Sequence, residues 1–274
     1  MNNLRQYIRA YKSKVTNKLF GIVSLHTPRK RKGAVLLSFI TGPFTLAPGE
    51  HFTDPHSHYW VCAEMARLFL ERGYDVDVIE WDNDRFMPKK KYEICIDLHR
   101  NLERLYPFLG QDCIKVMHLV SSHISSLNNA EQARLKALEK RRGVALISQR
   151  ALQHSNNPKY ADFLAGYGNQ TVHNTYSAFG KKIIPIPVPA MEKYDFPNSK
   201  DFSAARKHFL WFGGGGPILK GLDLVIEAFS LLPNLKLIVI GPAAFEKDFE
   251  KIYDCELGLP NIIRYGRPRS DRNG

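Results

Sequence analysis

The chain has 274 residues, 44% of them apolar and 24% charged, with a formal net charge of +12 at pH 7. That balance is globular and argues against disordered, collagen-like and disulfide-scaffold classes. Four cysteines, Cys62, Cys95, Cys113 and Cys255, stand far apart without a CxxC pair, so a zinc ribbon or dithiol redox motif is out and a reducing compartment fits. No apolar run approaches the roughly 18 to 20 residues that span a bilayer, and the N-terminus lacks the apolar segment of a signal peptide. The reading is cytoplasmic, with any membrane contact peripheral and at the inner face.

The charge is unevenly placed. Nine of the 39 Lys and Arg precede residue 50, where the first acid, Glu50, stands, and the rest of the chain is nearly neutral. Residues 1–32 therefore form a basic arm. Within it Leu4, Tyr7, Ile8, Tyr11 and Val15 recur at helical spacing while Arg5, Arg9, Lys12 and Lys14 fall elsewhere, the pattern of a short basic amphipathic helix. Such a helix suits an anionic membrane surface; a solvated or self-packed arm is the other reading. No nucleic-acid motif or aromatic-interleaved basic groove is present, so no nucleic-acid partner is expected.

After the arm, strands and helices alternate. Residues 34–40 form a continuous apolar run ending in Thr41-Gly42-Pro43, as a strand buried on both faces should read. Residues 56–72 have helical periodicity stopped by Gly73, and 75–81 read as the next strand. Further strands are expected at 94–98, 114–120 and 144–147, with a helix over 129–142 closed by Gly143. Residues 148–182 are irregular, with a turn at Asn156-Asn157-Pro158 and glycines at 166 and 168. Three prolines in 183–189 fix φ and forbid helix, marking a stiff extended connector. The alternation then restarts, with strand 208–212, glycine loop 213–217, helix 220–232 and strand 235–240.

This order predicts an α/β protein with two mostly parallel sheets. The expected divisions are the arm at 1–32, a first Rossmann-like domain at 33–190, a linker at 191–206 and a second sheet domain at 207–274, expected to be incomplete at residue 274.

The strongest chemical feature is Gly213-Gly-Gly-Gly216 with Lys220 beyond it. Four glycines leave backbone N–H groups uncovered beside a helix N-terminus, an arrangement suited to phosphate oxygens, and Lys220 can meet a second phosphate. A dinucleotide GxGxxG fingerprint and a Walker GK[ST] loop both fail on spacing. No GxSxG elbow supplies a hydrolase nucleophile.

The segment FLWFGGGGPILKGLDLVIEAFSLLPNLKLIVIGP (209–242) resembles the donor-nucleotide motif of group 1 glycosyltransferases of the GT-B architecture, through the strand, glycine turn, Lys-Gly-Leu-Asp and the Ile-Glu-Ala-Phe helix. The layout of residues 34–81 is similar to that family's first domain. The resemblance implies two Rossmann-like domains facing a cleft and transfer of a sugar from a nucleotide-diphosphate sugar to a glycan or lipid-linked acceptor, in glycan or polysaccharide biosynthesis. It further implies retention and no obligatory metal or other cofactor. It places the donor diphosphate on Lys220 and the amides of Gly213, Gly214, Gly215 and Gly216, and gives Gly42 a close approach to the donor. His123, with His118 beside it, falls where the family often has a histidine touching the donor sugar. The family's usual diphosphate-binding Arg is replaced here by Gly214 or its neighbour, and the resemblance would place its acidic donor-sugar motif downstream of the residues given.

Asp97 and His99 end the third strand at the sheet's functional edge and are candidate cleft residues. Asp54, His56 and His58 have the spacing of a metal site, but a polar loop capping the following helix, through Asp54 or Ser57, is the preferred reading and no metal is assigned. Two other functions stay open. One is a truncated, non-catalytic protein that binds glycan or a partner subunit. The other is a non-glycosyl nucleotide enzyme of Rossmann type.

Overall fold

The computed structural model describes residues 14–17, 21–45, 57–189, 199–241 and 245–266. The chain divides into two compact units, Met1–His123 with His154–Lys193, and Ile124–Gln153 with Tyr194–Gly274.

The first unit is built on an eight-stranded sheet: β1 (Lys14–Asn17), β2 (Ile22–Leu25), β3 (Gly33–Phe39), β4 (Tyr74–Glu80), β5 (Ile94–Asp97), β6 (Ile114–Leu119), β7 (Phe163–Gly166) and β8 (Ile183–Pro185). Its order is β1-β2-β4-β3-β5-β6-β7-β8, antiparallel across β1, β2 and β4 and parallel from β4 to β8. This is a mostly parallel α/β sheet of the Rossmann-like kind. The apolar run of β3 explains its central place. Val35, Leu37 and Phe39 face one core with Val61, Cys62, Ala66 and Leu70 of the helix α2 (Ser57–Glu71), while Ala34 and Leu36 face a second core with Cys95, Leu119 and Leu164. A strand buried on both faces can afford no polar alternation. Gly73 closes the helix at φ +92°, a left-handed conformation that favours glycine.

Three sequence expectations change here. The arm is not wholly separate: β1 and β2 form a hairpin on the sheet, and Val23 and Leu25 are buried in its core. Val15 therefore lies in a strand, while positions 4–11 of the amphipathic pattern lie outside the described residues. The strand expected at 144–147 does not form; Val144 and Ile147 are exposed and only Leu146 packs inward. Sheet pairing is taken instead by β7, from the segment read as irregular, and by β8 from the proline connector. Its Pro185 sits on the edge strand, where the missing N–H costs no ladder bond.

The second unit holds a parallel three-stranded sheet, order β11-β10-β9, from β9 (His208–Phe212), β10 (Lys236–Ile240) and β11 (Ile262–Tyr265). Its core joins Leu135 and Leu138 of the helix over Ile124–Arg142, Leu222 and Ile226 of the helix over Leu222–Ser230, and Phe249 and Tyr253 of the helix over Lys247–Leu257. In chain order, after α2, the helices are α1 (Gly42–Thr45) ahead of it, then α3 (Leu102–Leu105), α4 (Ile124–Arg142), α5 (Asn157–Tyr160), α6 (Gln170–Asn174), α7 (Phe202–Ala205), α8 (Leu222–Ser230) and α9 (Lys247–Leu257).

Besides Leu135 and Leu138, a buried carboxylate ties α4 to the second unit. Asp223, in the first turn of α8, has a fully buried side chain and meets Arg134 and Arg141 of α4, each at 2.5 Å. Arg141 also reaches Glu227 at 3.1 Å, and Arg142 reaches Glu256 at 2.5 Å. A buried charge must be paired or it costs several kcal/mol. Residues 124–153, inside the first domain expected over 33–190, thus pack with the second unit.

Replacing Asp223 by Ala is expected to destabilise the second unit by about 2 to 3 kcal/mol, the low end for a broken buried pair because both arginines keep partial access to water. Arg134→Ala should cost less, since Arg141 still neutralises the carboxylate. Denaturant midpoints followed by circular dichroism would check both, and equal costs would show that the pairing is not centred on Asp223.

Candidate functional site

In the parallel part of the first sheet the order β4-β3-β5-β6-β7 reverses direction between β3 and β5. Ligands of open α/β sheets settle at such a switch point, outside the carboxyl ends of the strands. Here that crevice edge carries the turn Thr41-Gly42, the segment Leu98–Asn101 and the end of β6. Glu80, at the end of β4, fixes the turn by accepting hydrogen bonds from the Thr41 backbone N–H, at 2.7 Å, and from the Thr41 hydroxyl. Gly42 starts α1 directly against Tyr59, and a Cβ there would lie 2.4 Å from the ring. Its glycine is thus demanded by the close packing of α2.

Asp97 is fully buried. Its Oδ2 accepts from the N–H groups of Asn101 and Leu102, at 3.0 Å each, and from the Asn157 amide. Burial pushes its carboxyl up to about 6, against the lowering effect of Ser38 and of these backbone donors. Asn101 in turn donates to Ser38 at 2.9 Å and to the Trp81 carbonyl at 3.0 Å. Asp97, expected as a cleft residue, is a buried hub that bolts the β5–α3 turn to β3 and β4.

His99 is half-buried with its ring 5.3 Å from Trp81, and burial lowers its pKa. His118 is buried between Phe39, at 5.6 Å, and Tyr167, at 5.0 Å. Burial lowers its pKa to about 4, with His58 and His99 adding to the effect, and its Nε2 has no hydrogen-bond partner among the described residues. His123 packs edge-on against Tyr176 at 5.3 Å and beside Phe179 at 5.2 Å, while its backbone N–H donates to Thr175 at 2.9 Å. Burial, then His154, lowers its pKa. His58, in the first turn of α2, lies 5.8 Å from Phe39; Asp54 and His56 lie outside the described residues. Among the described residues no group of three His, Cys, Asp or Glu side chains is arranged to hold a metal ion. The crevice edge thus carries one half-buried imidazole, His99, beside the half-buried Trp81 ring, with His118 and His123 buried behind it.

The second unit carries the glycine loop at the carboxyl end of β9. Two of its amides are engaged: Gly213 donates to the Ile240 carbonyl at 3.1 Å, and Gly216 to Glu246 Oε1 at 2.9 Å. The expectation that all four amides face a ligand narrows to Gly214 and Gly215. Lys220 is exposed and stands before α8, whose N-cap is Gly221 at φ +74°. It therefore does not sit on the helix as expected. Its ammonium does reach the loop, since a Cβ on Gly214 would be 3.2 Å from Nζ. A residue with no sequence signal joins it. Arg150 packs on Gly216, whose Cβ would lie 2.6 Å from its Cδ, and burial followed by the Arg150 charge lowers the Lys220 pKa, with Glu246 opposing. A cavity of about 360 Å³ adjoins the loop, lined by Glu131, Leu146, Gln149, Gly216, Ile218 and Phe249 among others. The site is a two-cation loop with one carboxylate set against it.

No family model matches the chain, and no curated protein matches it. Among solved structures, "Crystal structure of a putative esterase from Staphylococcus aureus" aligns at 10% identity over 94% of this chain and 74% of its own, with a TM-score of 0.20. A likeness at that score carries neither fold nor chemistry to this chain.

The two buried groups of the crevice set opposite pH dependences. An unfolded histidine binds a proton near 6.5, but folded His118 does so only near 4, so stability falls as pH drops through that window. Asp97 is ionised near 3.9 when unfolded and near 6 when folded, so its contribution falls as pH rises from about 4 to 6. Each effect is worth at most about 1.4 kcal/mol per pH unit. Urea midpoints measured from pH 4 to 7 are expected to lose acid sensitivity in His118→Gln and to gain it in Asp97→Asn. Parallel curves for the wild type and both variants would overturn the assignments.

Proposed function

We propose that this protein binds a nucleotide-diphosphate sugar at the glycine loop of its second unit and transfers the sugar to a hydroxyl-bearing acceptor, as a glycosyltransferase of GT-B type. The observation that carries the reading is the convergence of Lys220 and Arg150 on Gly214–Gly216. The resemblance of residues 209–242 predicts a second diphosphate cation where Gly214 stands, and Arg150 supplies a guanidinium beside the same loop from another segment.

The chemistry follows from charge. Transfer breaks the bond between the anomeric carbon and the diphosphate, and the electron pair leaves with the diphosphate. Negative charge therefore grows on the leaving group, and fixed cations and amide dipoles aimed at it lower the barrier. Lys220 is a point charge on a flexible stem, whereas the Arg150 guanidinium can grip two phosphate oxygens at once. The amides of Gly214 and Gly215 supply neutral donors. In the first unit, the neutral imidazole of His99 and the ring of Trp81, both half-buried, suit acceptor hydroxyls, while His118 is buried behind them. His123 is retained in this reading as a neutral imidazole packed behind that edge.

Isothermal titration of the full chain with UDP, GDP and ADP, and with the corresponding nucleotide sugars, tests the proposal. One nucleotide is expected to bind, and Lys220→Ala or Arg150→Ala should each weaken it about 10- to 100-fold, the value of a charged hydrogen bond of roughly 1.5 to 3 kcal/mol. Thermal stability should hardly move in Lys220→Ala, because that side chain is exposed. Binding of a nicotinamide dinucleotide alone, or of glycans without any nucleotide, would replace this reading with one of its two rivals.

A further inference from the structure

Parallel strands all begin at one edge of their sheet. In the first unit this edge lies opposite the crevice, and the topology gathers cations there that are far apart in sequence. Arg29, Lys30 and Lys32 lead into β3, and Lys181 and Lys182 lead into β8. All are exposed except Lys181, which is half-buried. Hydrogen bonds run sideways along the edge, from Lys32 N–H to Gly73 O at 2.8 Å, Glu93 N–H to Ala34 O at 2.9 Å, Ile114 N–H to Glu93 O at 2.9 Å, Asp162 N–H to Lys115 O at 2.7 Å and Leu164 N–H to Lys182 O at 3.1 Å. With about 4.8 Å between strands, the row from β3 to β8 extends about 20 Å.

The carboxylates of this edge are engaged. Asp75 and Asp77 are buried and pair with Arg31 and Lys90, each at 2.8 Å; Asp112 pairs with Lys91 at 3.4 Å; Asp162 accepts from the Lys115 N–H at 2.7 Å. Asp162 and Glu93, which accept from the backbone N–H groups of Lys115 and Ala34, keep their charge, but Arg29, Lys30, Lys32, Lys181 and Lys182 outnumber them and the edge is net positive. Apolar side chains interrupt it: Ile114 and Phe163, the first residues of β6 and β7, are 46% and 39% exposed.

We propose that this strand-start edge is a docking surface for an anionic lipid bilayer. A row of cations meets lipid phosphates, and isolated apolar side chains among them enter the headgroup boundary, the two contributions that hold peripheral proteins on membranes. The apolar groups between the lysines favour lipid over a nucleic-acid backbone, which would take cations alone. Because the crevice lies at the other end of the same strands, docking leaves it open to solvent. The inference does not rest on the transferase reading, and its test needs no activity.

The test is cosedimentation of the full chain with vesicles of roughly one-third phosphatidylglycerol in phosphatidylcholine, and with pure phosphatidylcholine. Binding is expected only to the anionic vesicles and should be lost at about 0.5 M salt. Two variant sets probe separate ends of the row, Lys181→Glu with Lys182→Glu, and Arg29→Glu with Lys30→Glu and Lys32→Glu. Each should weaken binding about tenfold or more at roughly 1 kcal/mol per lost cation, with melting curves confirming folded protein. The control, Arg206→Glu with Lys207→Glu, changes net charge as much as the first pair but on the second unit, and should alter binding less than about twofold. Equal losses in the control and the edge variants, binding to neutral vesicles, or tighter binding to an RNA duplex than to anionic vesicles would overturn the proposal.

Discussion

The common polarity of strands β3 to β8 is the constraint on which the first unit depends. Because each strand is crossed back over the sheet before the next begins, all starts lie on one edge and all ends on the other. This sorting separates two kinds of surface that the linear sequence mixes. The end edge collects Thr41, His99 and His118, while the start edge collects lysines and arginines from segments more than a hundred residues apart. The reversal of strand order between β3 and β5 then opens the end edge at one place, where Glu80, Asp97 and Asn101 lock the flanking turns.

In the second unit the organising element is a charge. Asp223 is part of the Lys-Gly-Leu-Asp run, whose lysine is the proposed phosphate contact, but the aspartate serves structure. Its burial draws Arg134 and Arg141 onto α8 and so commits α4 to this unit. The loop that follows α4 carries Arg150, and that is how a guanidinium comes to lie on Gly216 from about seventy residues upstream. A pair that holds the fold thereby also delivers a cation to the candidate binding loop.

The sequence made visible the strands and helices whose burial is one-sided or complete. The run at β3, the helix ended by Gly73, β4, β5, β6 and the alternation from β9 to β10 all appear within a residue or two of their expected positions. It misled where length and composition were ambiguous. The apolar stretch 144–147 has the content of a strand but finds no ladder partner, and β7 and β8, apolar but only four and three residues long, are too short to announce themselves beside glycines and prolines. The glycine loop and Lys220 were legible because glycine repetition and a following lysine are local signals. Arg150 and Glu246 were not, since their role exists only through tertiary packing. Asp97 was legible as a residue at the right edge but not as an interior one, because a strand-end carboxylate reads the same whether it faces a ligand or its own backbone.

The glycine loop is electrostatically unfinished as it stands. Lys220 and Arg150 repel one another, and the Lys220 pKa is lowered in consequence of burial and of that neighbour. Glu246 relieves part of this, and it also takes the Gly216 amide, so it occupies the loop as an internal anion would. A diphosphate arriving at Gly214 and Gly215 would meet both cations and relieve their mutual repulsion, while the Glu246 carboxylate would oppose it at the far end of the loop. The glycines are what make the arrangement possible. A side chain at Gly216 would run into Arg150, and one at Gly213 into Trp211. The loop therefore trades side-chain packing for the close approach of two fixed charges and two bare amides, an exchange that makes physical sense where a polyanion is the intended occupant.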